Sequence, residues 1–316
     1  MRTLVTGACG YKGTVLVPKL LAAGHEVTAF DTMWFGNFLE KTPGDRKGLT
    51  CITGDLRDIS SLDLSGYDAI IHLASIANDP CADLNPKLTW DVNVLATMQL
   101  ADRAVRAGVQ RFIYASSGSV YGISEEPNVT EDLPLLPLSE YNKTKMCAER
   151  VLLSYSNEMT IQIVRPATVC GLSPRMRLDV AVNLLTMAAL DAKKITVFGG
   201  KQVRPNIHID DITDLYIFLL AHPDATGIFN AGFENMSILE IAEAVANVFP
   251  TEIITKQSND LRSYRLNSDK LLATGFVPKK TVSDAVSEIM AAYQNGDLKN
   301  EDHFHNLRWM QSQGLT

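Results

Sequence analysis

The stretch TGACGYKG, residues Thr6–Gly13, carries three glycines at a spacing of three between an apolar run and a helical pattern. Gly7 allows a tight turn, Gly10 lets the backbone approach a phosphate group, and Gly13 lets the helix pack against the preceding strand. The free N–H groups in the first turn of such a helix face an anion. The stretch therefore predicts a strand, a phosphate-binding turn and a helix.

A carboxylate ends the next apolar run, EVTAFD, at Asp31. Asp31 can accept hydrogen bonds from both hydroxyls of an adenosine ribose, and its charge repels a 2′-phosphate. Its neighbour Thr32 offers no cation that would attract one. Together with the glycine-rich turn, Asp31 predicts a dinucleotide site that takes NAD rather than NADP.

Lys12 occupies a position in this turn where an apolar residue is usual. Its ammonium could add a direct charge to the cofactor pyrophosphate, worth ~0.5–1 kcal/mol in a solvated site. Alternatively, its stem packs and its ammonium reaches solvent. The sequence leaves both interpretations open.

Short apolar runs alternate with helical patterns through the first half of the chain. Six runs predict buried strands: RTLVTG, EVTAFD, LTCITGD, AIIHLAS, RFIYASS and IQIVRPA. Helical spacing of apolar residues predicts helices over residues 11–23, 87–107 and 140–156. This alternation predicts an α/β fold, a Rossmann-type doubly wound parallel sheet with helices on both faces.

After Gly171 the pattern loosens and polar residues become frequent. We expect residues 1–168 to form the dinucleotide-binding domain, with residues 203–222 returning to it. Residues 169–202 and 223–316 are expected to form a smaller C-terminal substrate lobe. The cleft between the two is the expected ligand site.

Composition excludes several classes of function. The net charge of −7 argues against a nucleic-acid or membrane-surface binder, because phosphate contacts need clustered Lys and Arg. The five cysteines are scattered without metal-site spacing, so neither a disulfide framework nor a bound metal is expected. The first predicted strand leaves no room for a signal peptide, and no apolar run approaches ~18 residues. We expect a cytoplasmic protein without a membrane partner.

Tyr141 and Lys145 stand four residues apart at the start of a predicted helix, and so on one face. A phenol with a pKa of about 10 cannot act as a base at neutral pH. Lys145 and a positive nicotinamide ring could together bring it to about 7. Ser117, in YASSGSVYG after the preceding strand, could hydrogen-bond the same substrate oxygen. The alternative is an exposed Tyr–Lys pair on a surface helix.

The chain resembles the extended short-chain dehydrogenase/reductase family, in its nucleotide-sugar epimerase/dehydratase branch, to which UDP-glucose 4-epimerases belong. The resemblance rests on TGACGYKG, Asp31, GDLRD, HLAS, DVNV, ASSGSVYG, YNKTK and RPNIHIDD. It implies that Ser117, Tyr141 and Lys145 are catalytic. The cofactor-binding residues that it implies are Gly7, Gly10, Tyr11, Lys12, Gly13, Asp31, Asp55, Leu56, Leu73, Ala74, Ser75, Asn93, Tyr141 and Lys145. For Asn93 a structural role is the alternative.

The resemblance also implies a diphosphate-sugar substrate. Arg204 and Arg262 resemble arginines that grip the diphosphate with forked guanidinium groups, although Arg204 could instead bridge the lobes. GLSPRMRLDVAVN resembles a bacterial subset acting on hexose- or heptose-linked nucleotides, in which Arg177 and Asn183 would reach nucleotide or diphosphate. Solvated loop positions are the alternative for Arg175 and Arg177. The full implied substrate set is Ser117, Gly118, Ser119, Thr168, Arg177, Asn183, Arg204 and Arg262.

The sequence departs from the family pattern at two places. The 4,6-dehydratases of the family carry an Asp-Glu pair immediately after the catalytic hydroxyl, where this chain has Gly118 and Ser119. Neither residue relays a proton well, so a dehydratase is disfavoured. Many epimerases carry an asparagine where this chain has Thr168, which leaves their usual substrate amide contact in doubt.

The leading expectation is a nucleotide-diphosphate-sugar 4-epimerase with tightly bound NAD. A net carbon-4 dehydrogenase or reductase of an NDP-hexose or NDP-heptose would use the same residues. A non-catalytic NAD-binding subunit is the third possibility. By resemblance, we expect a homodimer paired through the helices over residues 87–107 and 140–156.

Overall fold

The apolar runs of the first half form adjacent parallel strands, which confirms the predicted doubly wound sheet. The computed structural model describes residues 1–41, 46–124, 126–258 and 263–315. Its strands are β1 Arg2–Thr6, β2 Glu26–Asp31, β3 Leu49–Thr53, β4 Ala69–His72, β5 Arg111–Ala115, β6 Thr160–Pro166, β7 Thr168–Cys170, β8 Lys194–Phe198, β9 Val203–His208, β10 Gly227–Ala231, β11 Glu234–Ser237 and β12 Glu252–Lys256.

The predicted helices form with somewhat shorter bounds. The helices are α1 Gly13–Ala22, α2 Asp79–Leu84, α3 Pro86–Trp90, α4 Ala96–Arg106, α5 Glu140–Leu153, α6 Ala181–Ala192, α7 Ile209–Ala221, α8 Ile238–Val248, α9 Asp269–Leu272, α10 Val282–Gln294 and α11 Asn306–Ser312. The helix expected over residues 87–107 is divided by a π-helical turn, Asp91–Leu95, between α3 and α4. None of the helices in the described part of the chain has the length and apolarity needed to cross a membrane.

Seven strands form the main sheet in the order β10-β6-β5-β4-β1-β2-β3. Strand β2 pairs with one edge of β1, and strand β4 pairs with the other edge. The order of the strands therefore reverses beside β1, and a crevice opens at the carboxyl ends of β1 and β4. The glycine-rich turn follows β1 directly and stands at this crevice.

One strand of the main sheet comes from an unexpected part of the chain. Residues 227–231 were expected in the substrate lobe, but β10 pairs in parallel with β6 at the sheet edge. The reason is burial, because Phe229 and Ala231 of β10 pack into the main core. Of the segment expected to return, β9 lies in a separate three-stranded sheet with β7 and β11. The following helix, α7, packs against α1, where Lys19 contacts Asp214 at 2.8 Å.

A smaller hydrophobic core lies in the C-terminal half of the chain. Val182 of α6, Ile241 of α8 and Val286 of α10 pack together over Ile195 of β8, and all four are fully buried. Both α8 and α10 begin with a capping box, in which the side chains of the cap and third residues bond each other's backbone N–H groups. This part of the chain therefore has its own packed helices beside the crevice.

Candidate active site

A cavity of about 640 Å³ lies at the crevice between the main sheet and the C-terminal half. Its volume falls within the range for small-molecule sites. The predicted residues that line it are Gly7, Gly10, Tyr11, Lys12, Gly13, Asp31, Asp55, Leu56, Leu73, Ala74, Ser75, Ser117, Ser119, Tyr141, Lys145, Thr168 and Arg177. The folded chain thus brings most of the predicted cofactor and catalytic residues to one cavity.

The glycine-rich turn fits a closely approaching phosphate. Gly7 has a φ of +70°, and a Cβ there would lie 2.6 Å from the backbone nitrogen of Ala74. A Cβ on Gly13 would lie 2.3 Å from the carbonyl oxygen of Ala8. Only glycine leaves this cradle open at the start of α1, where the helix presents its free N–H groups. The cradle therefore suits the pyrophosphate of a dinucleotide.

Asp31 ends β2 at the same cavity. Its carboxylate accepts hydrogen bonds from the backbone N–H groups of Cys9 (2.9 Å) and Met33 (2.7 Å). Burial raises the pKa of Asp31, and these two bonds act in the opposite direction. Asp31 is thereby held in place as a hydrogen-bond acceptor within the cavity.

Lys12 points its ammonium at α7. Its Nζ donates to the hydroxyl of Tyr216 at 3.4 Å, and the side chain is partly buried in the cavity wall. Burial, aided by the positive charge of Arg177, lowers the pKa of Lys12 to about 8. A nearby anion, such as a phosphate group, would therefore stabilise the protonated form of Lys12.

Helix α5 carries the Tyr–Lys pair into the cavity. Ser139 caps the helix by accepting a hydrogen bond from the backbone N–H of Asn142, at 3.2 Å. Lys145 is buried, and its Nζ donates to the carbonyl oxygen of Ala115 at 2.8 Å. The same Nζ lies 5.8 Å from the centre of the Tyr141 ring.

Ser117 follows β5 and completes the group. It hydrogen-bonds the phenol of Tyr141, and its Oγ lies 2.7 Å from the Oγ of Ser119. The Oγ of Ser119 in turn donates to the side-chain oxygen of Asn142. The serine and the phenol therefore face the same point of the cavity from two elements.

The protein side chains around the Tyr141 phenol do not by themselves lower its pKa. Burial raises the pKa of Tyr141 to about 12, although the hydrogen bond with Ser117 and the charge of Arg177 act to lower it. Burial also lowers the pKa of Lys145 well below its usual range, and the charge of Lys12 adds to this. The side chains of this chain alone leave the phenol protonated at neutral pH.

Asn93 lies outside the described lining of the cavity. It is buried, accepts a hydrogen bond from the N–H of Ile76 (2.8 Å), and donates to the hydroxyl of Thr144 (3.0 Å). Of the two roles left open, the geometry fits the structural one. Asn93 ties the segment after β4 to helix α5, which carries Tyr141.

Asn183 was expected to reach the substrate, but its amide is fully buried. It accepts from the N–H of Gly171 (3.1 Å) and donates to the Tyr11 hydroxyl (3.1 Å) and the Arg177 carbonyl (2.8 Å). Because these bonds use its donors and its acceptor, Asn183 supports two lining residues rather than lining the cavity itself.

Two other expected substrate residues, Gly118 and Arg204, are not among the described residues that line the cavity. Gly118 packs beneath it, where an added Cβ would lie 2.9 Å from Cδ1 of Leu266. Arg204 lies on β9 and donates to the carbonyl of Val203 at 3.1 Å. Arg262 lies outside the described residues.

The C-terminal half contributes residues that motif reasoning missed. Arg175, Asp179 and residues of α11 line the cavity beside Trp34 and Phe35, which follow β2. Arg177 forms a two-pronged ion pair with Asp179, at 2.8 and 3.0 Å. Neither arginine is a solvated loop residue, because both side chains are largely enclosed. The Arg-x-Arg-x-Asp spacing in residues 175–179 was the available signal.

Comparisons with known proteins agree with this geometry. The sequence profile of the NAD dependent epimerase/dehydratase family matches residues 3–232. A UDP-glucose 4-epimerase from Mycolicibacterium smegmatis is 29% identical over 315 residues, covering 93% of this chain and 99% of that protein.

Solved structures give the same result. The UDP-glucose 4-epimerase of Thermus thermophilus in complex with NAD has a TM-score of 0.81 at 25% identity, covering 93% of this chain and 99% of that one. MoeE5 in complex with UDP-glucuronic acid and NAD has a TM-score of 0.80 at 27% identity, covering 93% and 100%. The predicted family, enzyme class and cofactor are confirmed. The chain belongs to the NAD dependent epimerase/dehydratase family.

Proposed function

We propose that this chain is a nucleotide-diphosphate-sugar 4-epimerase in which Tyr141 is the general base. The observation that carries the proposal is the convergence of Ser117, Tyr141 and Lys145 in the cavity that also holds the phosphate cradle. The names of the relatives support the reaction class.

Each residue has a chemical role in this proposal. Ser117 hydrogen-bonds the oxygen at carbon 4, and Tyr141 takes the proton of that hydroxyl. Lys145 stabilises the phenolate that results and so favours the proton transfer. Bound NAD, held by the glycine-rich turn and Asp31, would supply the hydride acceptor for the oxidation at carbon 4 and the hydride donor for the reduction of the keto-sugar from its other face. Tyr141 gives the proton back, so the sugar changes configuration without net oxidation.

The surroundings of Ser117 support epimerisation over dehydration. A dehydratase of this family needs acidic side chains immediately after the catalytic hydroxyl. Gly118 is packed against Leu266, and the hydroxyl of Ser119 is engaged by Asn142. Neither position offers a carboxylate to remove or deliver a proton beyond carbon 4.

The experiment is proton NMR of UDP-glucose, UDP-galactose and their GDP and CDP counterparts, without added cofactor. We expect at least one pair to interconvert, with NAD present in stoichiometric amount before and after turnover. Tyr141→Phe is the control that should abolish interconversion. Accumulation of NADH with no epimer formed would instead establish a net carbon-4 oxidoreductase and reject the proposal.

We further propose that the protein is a cytoplasmic homodimer. Leu95 (44% exposed) ends the π-helical turn and Met98 (40% exposed) lies in the first turn of α4, so a helical segment expected to pair has exposed apolar side chains. All five cysteines are free, which suits a reducing compartment. Light scattering should give a molecular mass of two chains, and Met98→Glu should lower the measured mass toward that of one chain. A monomer in the parent protein would reject the dimer.

A further inference from the structure

A buried arginine lines the cavity near Asp31. Arg175 lies between β7 and α6 and is 2% exposed. Its guanidinium donates to Oδ1 of Asn306 at 2.6 Å and to the carbonyl of Met176 at 3.3 Å. It also stands 4.0 Å from the centre of the Phe35 ring. The C-terminal half thus brings a cation to the part of the cavity that follows β2.

This cation lacks an anionic partner among the described residues. No carboxylate in that part of the chain lies within ion-pair distance of Arg175, and its Nε has no hydrogen-bond partner there. Burying a charge in this state is costly. Consistently, burial and the neighbouring Arg177 lower the pKa of Arg175 to about 9. The two terminal nitrogens of Arg175 each make one of the hydrogen bonds above, so each keeps an N–H group that an oxygen of a ligand in the cavity can accept.

Asp31 indicates which part of a ligand this would be. Its charge and that of Arg175 attract each other, although the two do not form an ion pair. A ribose diol has hydroxyl hydrogens for a carboxylate and oxygen lone pairs for a guanidinium. Asp31 and Arg175 line the same cavity, and an acceptor together with a donor matches a diol better than either residue alone.

We propose that Arg175 is a further cofactor-binding residue, which donates to the adenosine ribose hydroxyls from which Asp31 accepts. The inference rests on the NAD site of the proposed function, but not on the reaction carried out there. It assigns part of the cofactor's specificity to a residue outside the glycine-rich turn.

Helix α11 positions this arginine. Asn306 accepts from Arg175, and its backbone N–H donates to Oδ2 of Asp179 at 3.2 Å. Farther along the helix, Nε1 of Trp309 donates to the carbonyl of Trp34 at 2.7 Å. Asn306→Ala should therefore weaken dinucleotide binding in the same direction as loss of Arg175, but by a smaller factor.

The test measures binding without turnover. Dinucleotide-free protein is titrated calorimetrically with ADP or 2′,3′-dideoxy-ADP, with saturating UDP present to fill the substrate's nucleotide subsite. Arg175→Met should weaken ADP binding about tenfold, the effect of one charge-assisted hydrogen bond. It should weaken 2′,3′-dideoxy-ADP binding much less, because both ribose hydroxyls are missing. Binding of nicotinamide mononucleotide should not change.

Two results would overturn the assignment: an unchanged ADP affinity, or an equal loss for ADP and 2′,3′-dideoxy-ADP. The second would place Arg175 away from the ribose. Circular dichroism checks that Arg175→Met folds. Arg175→Lys gives a second measurement, because lysine keeps the positive charge but lacks the forked guanidinium group. Its affinity for ADP should lie between those of the parent protein and Arg175→Met. Because no substrate is converted, a failed epimerase assay would leave these outcomes unaffected.

Discussion

The guanidinium of Arg165 on β6 and the carboxylate of Glu149 on α5 form an ion pair of 2.7 Å with side-chain exposures of only 2% and 1%. Glu149 also accepts a hydrogen bond from the hydroxyl of Ser116, next to Ser117. Helix α5 carries Tyr141 and Lys145. The ion pair therefore fixes the helix of the Tyr–Lys pair against the strand ends that complete the site.

Glu149→Gln should destabilise the protein by about 3–5 kcal/mol, because it leaves the Arg165 charge buried without its partner. Urea unfolding followed by circular dichroism measures this. Arg106→Gln is the matched control, since it breaks an exposed ion pair with Asp102 and should cost less than about 1 kcal/mol. Equal effects of the two substitutions would contradict a stabilising role for the buried pair.

Tyr141→Phe should lower kcat about 10²–10⁴-fold, because the proton acceptor is lost. The NAD content of the purified protein should not change, since the ring remains. The control is Tyr114→Phe, which removes another buried phenol beside Lys145 whose hydroxyl has no partner among the described residues. That variant should keep its activity and its stability. A fall in kcat of similar size in both variants would assign the effect to packing.

The strands and the phosphate turn could be predicted from the sequence because their signals are local. A strand at the centre of a parallel sheet is a short apolar run, and the cradle is marked by Gly7 and Gly13. The edge strand β10 escaped prediction because Gly227–Ala231 is only five residues long and includes a glycine and an asparagine. Its place depends on pairing with β6, which the pattern does not encode.

Site residues could be predicted from the sequence where a single motif contains them. They could not be predicted where segments far apart in the chain meet to form the site. Arg175 and Asn306 are 131 residues apart and come together only in the folded chain. Asn183 shows the converse limit, because a motif gives the residue type but not the direction in which its amide points. The effect of burial on the pKa of Tyr141 could not be predicted for a related reason, since that burial depends on the whole cavity wall.

NAD binding should weaken as the pH rises above about 8, because Lys12 loses its proton there. A bound pyrophosphate stabilises the ammonium and raises the pKa of Lys12. The contribution of its charge is therefore complete below pH 8 and disappears as the pH passes the pKa of the complex. The dissociation constant of NAD, measured by calorimetry from pH 7 to pH 10, should rise several-fold more in the parent protein than in Lys12→Met. If the dissociation constant changed with pH in the same way in both proteins, Lys12 would not contribute its charge to cofactor binding.

Gly7→Ala should abolish NAD retention and destabilise the fold by about 2–5 kcal/mol, the sum of overpacking and left-handed strain. The added Cβ would lie 2.6 Å from the backbone nitrogen of Ala74, which cannot rotate away as a side chain can. Gly24→Ala isolates the strain, because Gly24 has a similar φ of +83° and open space around it. The free energy of unfolding of that variant should be lower by about 1–2 kcal/mol, and the variant should retain its bound NAD. Urea unfolding and the NAD-to-protein ratio measure both effects. If Gly7→Ala cost no more than Gly24→Ala and retained NAD, the close contact between the turn and the chain after β4 would not be what shapes the cofactor cradle.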